Sequence, residues 1–477
     1  MNIFHVSAEC YPVAKVGGLA DVVGALPKYQ KNLNHHVKVV VPKYKTKFIE
    51  THKFKTVYKG NIKFGNDTLK YTVDFEEKNE LGFELYLIDI PSFFDSSEVY
   101  EWGKDAERFT AFQIAFLNWL SEETQIPDII HIHDHHTGLI PFMMKYSYAF
   151  QKLKNVPTFL TIHNAQYHGN FGFDKLYYIP EFEHAKIGLL EWNGQINPLA
   201  TAIKCAWKVS TVSPSYLEEM TYAANGLEDL LNHEKRKSIG ILNGLDTEVW
   251  NPQQDTFLTQ NYSTRSYKKG KELNKIALCE QFGLNPEIPL FAFIGRLVGE
   301  KGADLLPHIC SIALNQFHQK INILILGSGD ANVEGQLQNL IPIYKGSYNA
   351  YIGYNEQISH QIYAGADFLL MPSRVEPCGL NQMYALRYGT IPIVRRTGGL
   401  KDTIIDIGDL GFGICHDQAS VEDVVYSIGR AVGLYLETDK MEKVIKIAMK
   451  IDHSWEKVAE SYITEYHQLI KQTADSW

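Results

Sequence analysis

This chain lacks most of the signatures that classify a protein at a glance. The glycines after its first strand-like segment are adjacent, not spaced G-x-G-x-x-G, and no G-x-x-x-x-G-K-[ST] occurs, which disfavours both common nucleotide-binding loops. Cysteine is sparse: Cys10, Cys205, Cys279, Cys310, Cys378 and Cys415 stand apart with no C-x-x-C, so neither a zinc ribbon nor a disulfide framework fits. A reducing compartment is the expectation. There is no surplus of basic residues, and a net charge of −9 with a pI near 6.1 argues against a nucleic-acid binder. The local basic stretches at 43–59 and 265–275 read as solvated loops and helix faces. No apolar run approaches the ~20 residues of a membrane span. The N-terminus has no basic region and carries Glu9 where a signal peptide would be apolar, so a cytoplasmic protein is expected.

What is present is a repeated alternation of short apolar runs with longer amphipathic stretches. Runs at 3–8, 37–41, 83–88, 129–132, 158–162 and 208–212 form one series, and runs at 290–294, 321–326, 368–371 and 391–394 form another. Apolar runs separated by stretches such as 106–120 are the pattern of parallel strands buried under helices. A length of 477 residues is too long for one core. Residues 243–275 are polar and without strand pattern, so the division falls near Leu245: 1–245 and 246–455 as two α/β domains, with 456–477 as a terminal helix that could return to the first. After Gly413 the pattern reads as helical, through 421–436 and 455–470. Ligands of open parallel sheets bind at strand carboxyl ends, so two such domains facing each other would form a deep cleft. Aromatics at 12% are compatible with a carbohydrate ligand, whose C–H faces pack on rings, although most serve the core.

Candidate chemistry gathers where the runs end. Lys15-Val16-Gly17-Gly18-Leu19-Ala20-Asp21 follows the first run and opens a helix. Small residues at such a turn let backbone N–H groups approach an anion, and Lys15 adds a charge; the plainer alternative is a tight turn. Arg296 and Lys301 follow the run at 290–294, where two cations can clamp a diphosphate and stabilise it as a leaving group, or pair on the surface. The run at 368–371 leads to Ser373-Arg374-Val375-Glu376-Pro377-Cys378-Gly379-Leu380-Asn381, a second anion-binding helix start with a carboxylate just ahead of it. Glu376 beside phosphate would repel it unless it accepted hydrogen bonds from sugar hydroxyls. His131-Ile132-His133-Asp134-His135-His136 invites a metal reading, but no comparable outlying set is evident, and a polar loop at a strand end is preferred. His163-Asn164 is another strand-end polar pair.

Taken together with Gly194-Gln195-Ile196-Asn197, Thr211-Val212-Ser213-Pro214, Asn243-Gly244-Leu245-Asp246 and Arg396-Thr397-Gly398-Gly399-Leu400, these motifs make the chain resemble the bacterial glycogen synthase and plastid starch synthase family along nearly its whole length. The resemblance implies a GT-B fold, two Rossmann-like domains around a cleft. It implies transfer of glucose from ADP-glucose to the 4-OH at the non-reducing end of an α-1,4-glucan, with retention and with neither metal nor cofactor. By motif, Lys15 with Gly17 and Gly18 would bind the donor from the first domain, with Asp21 beside them. Arg296 and Lys301 would hold the diphosphate, and Glu376 the glucose hydroxyls. Cys378 and the amides of Gly379, Leu380 and Asn381 would support the distal phosphate. His163 and Asp134 would lie near the transferred glucose. Asn243, Tyr354, Thr397, Gly398 and Gly399 complete the substrate set. The sequence departs from the family's usual pattern at His168, Asn225, Asp229 and Glu300. A UDP-glucose-dependent transferase with another acceptor and a non-catalytic glucan-binding scaffold are the competing readings.

Overall fold

The computed structural model describes residues 1–474. They form two compact units, one of Met1–Gly244 with the segment beginning at Trp455, the other of Leu245–Ser454.

Unit 1 is built on strands β1 (Asn2–Val6), β2 (His36–Pro42), β3 (Phe54–Phe64), β4 (Asp67–Glu76), β5 (Glu84–Asp89), β6 (Ile129–His133) and β7 (Thr158–Ile162). After a small separate hairpin, β8 (Glu191–Trp192) and β9 (Gln195–Ile196), come β10 (Lys208–Thr211) and β11 (Ser238–Gly240). The main sheet is nine-stranded, in the order β11-β10-β7-β6-β1-β2-β5-β4-β3. It is parallel except where β4 runs against β3 and β5. Residues of β6 and β7 are buried on both faces, which is why they read as continuous apolar runs.

Unit 2 carries β12 (Leu290–Ile294), β13 (Asn322–Gly327), β14 (Tyr348–Ile352), β15 (Phe368–Met371), β16 (Ile391–Arg395) and β17 (Ile414–His416), an all-parallel sheet in the order β14-β13-β12-β15-β16-β17. The α/β class with parallel sheets is therefore the one expected from the sequence.

In unit 2 the chain winds outward first on one side and then on the other side of the β12–β15 pair; in unit 1 the strands that follow β1 and those that follow β6 lie on opposite sides of the β1–β6 pair, β3, β4 and β5 returning inward from the sheet edge toward β2. Such a switch point leaves a crevice at the strand carboxyl ends, because successive connections leave it in opposite directions.

Three expectations need correction. The basic stretch at 43–59 is not all solvated loop: it runs into β3, and Lys43 Nζ lies 2.6 Å from Asp74 and 3.3 Å from Asp89. The stretch at 265–275 belongs to the helix Tyr267–Phe282, which buries Lys271 and Lys275. Beyond Gly413 the chain first adds β17 before the helices Val421–Leu436, Thr438–Ala448 and Trp455–Ala474. Among the described residues no helix is long and apolar enough to cross a membrane.

Candidate functional site

In unit 1, the loop between β1 and the helix Gly18–Asn32 and the end of β6 meet at the switch point. Gly17 takes the N-cap position with extended backbone and no side-chain cap. The orphan amides of that turn find a carboxylate within the chain: Val16 N–H and Gly17 N–H donate to Glu9 Oε2 at 2.7 and 2.9 Å. Tyr100 OH donates to Glu9 Oε1 at 2.5 Å. The Gly17 amide expected to face an external anion thus already faces an internal one, as the geometry of a helix start favours. Lys15 Nζ pairs with Asp21 at 2.7 Å and lies 5.2 Å from the Tyr11 ring centroid.

Across the switch point, Asp134 Oδ1 accepts the backbone N–H of His163 at 2.6 Å, which joins the ends of β6 and β7. Burial pushes the Asp134 carboxyl up to about 7, against the backbone bonds from His163 and Asn164 and with help from the Glu9 charge. Asn243 is also buried, and its Oδ1 has no hydrogen-bond partner among the described residues. An unpaired buried amide oxygen is costly unless a ligand uses it.

The histidine run is not a polar loop. His131 and His133 lie in β6 with no exposure, and only His135 to Thr137 form a short turn beyond it. His133 Nδ1 bonds His163 Nε2 at 3.0 Å, and His5, on β1, bonds His133 at 3.1 Å. His5 and Glu9 were missed at the sequence level. An acid directly after the apolar run, in Ala8-Glu9-Cys10, was the available signal for Glu9; His5 offered none, since its partner is 128 residues away.

In unit 2, β12 ends at Arg296 and a 3-10 turn, Gly299–Lys301. Gly302 then adopts φ +69°, and a Cβ there would meet the Pro372 carbonyl oxygen at 2.4 Å, so only glycine lets the loops after β12 and β15 approach this closely. Arg374 fastens the same two loops by bonds to Asp304 and to the Gly299 carbonyl at 2.8 Å. The approach brings Lys301 Nζ to 2.6 and 2.7 Å from the two Glu376 oxygens, with Ser373 Oγ donating to Oε2 at 3.0 Å. Arg296 stays more open, 3.8 Å from Glu300. Asn381, first residue of the helix Asn381–Tyr388, donates from Nδ2 to the Ile294 carbonyl at 2.7 Å, which seats that helix start on the end of β12.

The glycines at 398 and 399 pack on the Glu376 loop. Gly399 N–H donates to the Glu376 and Pro377 carbonyls at 3.1 Å each, and a Cβ on Gly398 would fall 2.0 Å from the Glu376 carbonyl oxygen. The structure therefore brings Lys301, Glu376, Gly398 and Gly399 together, with Cys378 and Thr397 buried alongside. Tyr354, in the loop after β14, is 73% exposed.

Chemically, unit 2 offers cations beside a buried carboxylate at a helix start, a surface suited to an oligophosphate joined to a polyol. Unit 1 offers a neutral imidazole, a carboxyl with raised pKa and an unpaired amide oxygen, groups suited to hydroxyl recognition.

Comparison with known proteins agrees with this chemistry. The family described as starch synthase catalytic domain matches residues 2–233, and glycosyl transferases group 1 matches residues 275–448. The chain is 58% identical over 472 residues to a glycogen synthase of Flavobacterium johnsoniae, covering 99% of this chain and 100% of that one. It is 38% identical over 484 residues to a glycogen synthase of Geobacillus thermodenitrificans, covering 99% and 98%. Among solved structures it is similar to the catalytic domain of starch synthase IV from Arabidopsis thaliana bound to ADP and acarbose, with a TM-score of 0.90, 32% identity, and coverage of 98% and 99%.

Proposed function

The chain belongs to the glycogen and starch synthase family of GT-B glycosyltransferases, and from that premise we propose that it transfers glucose from ADP-glucose to the non-reducing end of an α-1,4-glucan, with retention of configuration. The observation that carries the reading is the Lys301–Glu376 pair, at 2.6 Å, at the switch point of unit 2, with Arg296 in the same loop after β12 as Lys301. Before the donor arrives, the two groups neutralise each other. A nucleoside diphosphate sugar offers each a better-matched partner: phosphate oxygens for Lys301 and Arg296, glucose hydroxyls for Glu376. The cations then stabilise charge that grows on the leaving diphosphate, work that is larger in the transition state than in the ground state.

In this reading the helix start at Gly379, Leu380 and Asn381 supports the distal phosphate with Cys378 next to it, and Thr397, Gly398, Gly399 and Tyr354 serve the nucleotide. From unit 1, Lys15, Gly17, Gly18 and Asp21 act on the donor, and His163, Asp134 and Asn243 act on the transferred sugar. That a starch synthase relative binds ADP supports adenine as the base. We place the reaction in the cytoplasm, with which six buried cysteines kept as thiols agree.

The test is incorporation of labelled glucose into glycogen from ADP-glucose and UDP-glucose in parallel, for the wild type and for Arg296→Ala and Lys301→Ala. Incorporation favouring ADP-glucose is expected, with each variant slowed about a hundredfold or more, the usual size for one transition-state stabiliser. Preference for UDP-glucose would overturn the donor assignment, and near-normal turnover in both variants would remove the clamp.

A further inference from the structure

The buried histidines of β1 and β6 have no part in the steps above. One ring nitrogen from each of His5, His131 and His133 lies within 4.8 Å of the others, at first sight a set of metal donors. Their ring nitrogens are all engaged, however. His5 bonds Gln30 Oε1 at 2.7 Å and His133 at 3.1 Å. His131 bonds Tyr466 OH at 2.5 Å and Thr161 Oγ1 at 2.6 Å. His133 bonds His163 at 3.0 Å through its remaining nitrogen. The cluster is a continuous hydrogen-bond network, and the orientation of the Gln30 amide at its end sets where the protons are.

Gln30 Oε1 can only accept, so His5 carries its proton on Nε2 and leaves Nδ1 bare. Bare Nδ1 requires the facing His133 Nε2 to be protonated, which leaves His133 Nδ1 bare in turn. His163 Nε2 must then carry a proton, and His163 Nδ1 has none. In this orientation the other end of the Gln30 amide is used as well, its Nε2 donating to Tyr466 OH at 3.2 Å. The opposite polarity needs that amide turned end for end and every bond of the network reversed at once. Any mixture puts two lone pairs or two protons face to face in a dry core, at a cost no solvent relieves.

We propose that Gln30, His5 and His133 are positioning residues that hold His163 as a neutral imidazole protonated on Nε2, so that its Nδ1 is a fixed hydrogen-bond acceptor at the end of β7. The proposal rests on the reading that His163 serves the sugar site. Burial agrees with neutrality along the relay: it pulls His5 down to about 4 and His163 to about 3, and His131 and His133 well below the usual value. Holding one tautomer through an outer partner is how proteins commonly set the chemistry of a functional histidine.

The experiment is nitrogen NMR of the full-length protein with labelled histidine side chains at pH 7, with the His163 ring assigned from His163→Gln. The wild type should show His163 with protonated Nε2 and bare Nδ1 as a single form. A ring protonated on Nδ1, a mixture, or an imidazolium would overturn the proposal. His133→Phe removes the acceptor, whereas His133→Gln keeps an amide oxygen for His163 and an NH2 for His5. The first should mix the tautomers and slow glucosyl transfer roughly 10- to 100-fold, the second should restore the single form and most of the rate. A single Nε2-protonated form in both variants would also overturn it. Should His133→Phe fail to fold, the wild-type spectrum still decides. Undiminished transfer by His163→Gln would instead count against the sugar-site reading, while the spectrum would still report on the relay.

Discussion

Asp134 stands in a strained backbone conformation at the end of β6. It is a non-glycine residue at φ 54°, ψ −167°, a backbone region that costs on the order of 1–3 kcal/mol. Two bonds hold it there: its N–H to the Thr161 carbonyl at 3.0 Å, and its Oδ1 from His163 N–H at 2.6 Å. The side chain is buried, and its carboxyl is raised from 3.8 to about 7. A folded-state pKa above the unfolded one means that the folded chain holds the proton more tightly. The resulting stability is complete below pH 4 and is lost as pH rises through 7, a change of about 4 kcal/mol at most. Asp134→Asn keeps an acceptor for the His163 amide and removes the ionisation. The melting temperature of this variant should therefore gain several degrees on the wild type between pH 4.5 and pH 8, followed by calorimetry at both values. A difference that stays constant would mean that Asp134 is ionised throughout. From sequence, Asp134 could be placed at a strand end, but its raised pKa could not, because it depends on burial in the folded chain and on the charge of Glu9, in the loop after β1.

The elements were legible wherever burial on both faces leaves a continuous apolar run, as in β6, β7, β12 and β15. The β3–β4 hairpin was not, because its edge strand turns one face, with Lys55, Val57, Lys59, Asn61 and Lys63, to solvent and has no continuous apolar run. Its signal was the turn Gly65-Asn66 between two alternating runs, with Gly65 at φ +61°. The helix Tyr267–Phe282 was misread for a different reason: charge in sequence suggests solvent, but partners far along the chain can bury it. Lys271 Nζ reaches the Ala364 and Ala366 carbonyls at 3.0 and 2.9 Å and Thr390 Oγ1 at 2.8 Å. It thereby satisfies the last carbonyls of the helix Glu356–Gly365. Burial lowers its pKa to about 7, so an ammonium in that place is itself costly. Which effect wins is measurable. Lys271→Met preserves the volume and strands the acceptors, and unit 2 should lose about 2 kcal/mol, a drop of several degrees by calorimetry. An unchanged transition would mean that desolvation of the lysine cancels its hydrogen bonds.

At the scale of the whole chain, sequence order and spatial grouping differ. Unit 1 is interrupted by all of unit 2 and completed by the helix Trp455–Ala474. Its Trp455, Tyr462, Tyr466 and Leu469 are buried with Ile3, Leu26 and Phe159, and Lys208 Nζ lies 2.9 Å from Glu465. Each large apolar side chain contributes about 1.5–3 kcal/mol on burial, so four together supply about 6–12 kcal/mol, as much as the entire stability of an ordinary domain. Tyr466 also closes the network of Gln30 and His131. The sequence pattern marked this segment as a terminal helix that could return to the first domain, yet its docking surface is assembled from strands hundreds of positions earlier, which no local pattern records. A chain ending at Ser454 should consequently keep the unit 2 transition in calorimetry and lose that of unit 1, with rapid proteolysis confined to residues 1–244. Tyr462→Ala, a cavity costing about 3–5 kcal/mol, should lower the same transition without abolishing it. Were the shortened chain to melt like the full one, the apolar contacts of this helix would be dispensable, and the sheet of unit 1 would have to hold by its own helices alone.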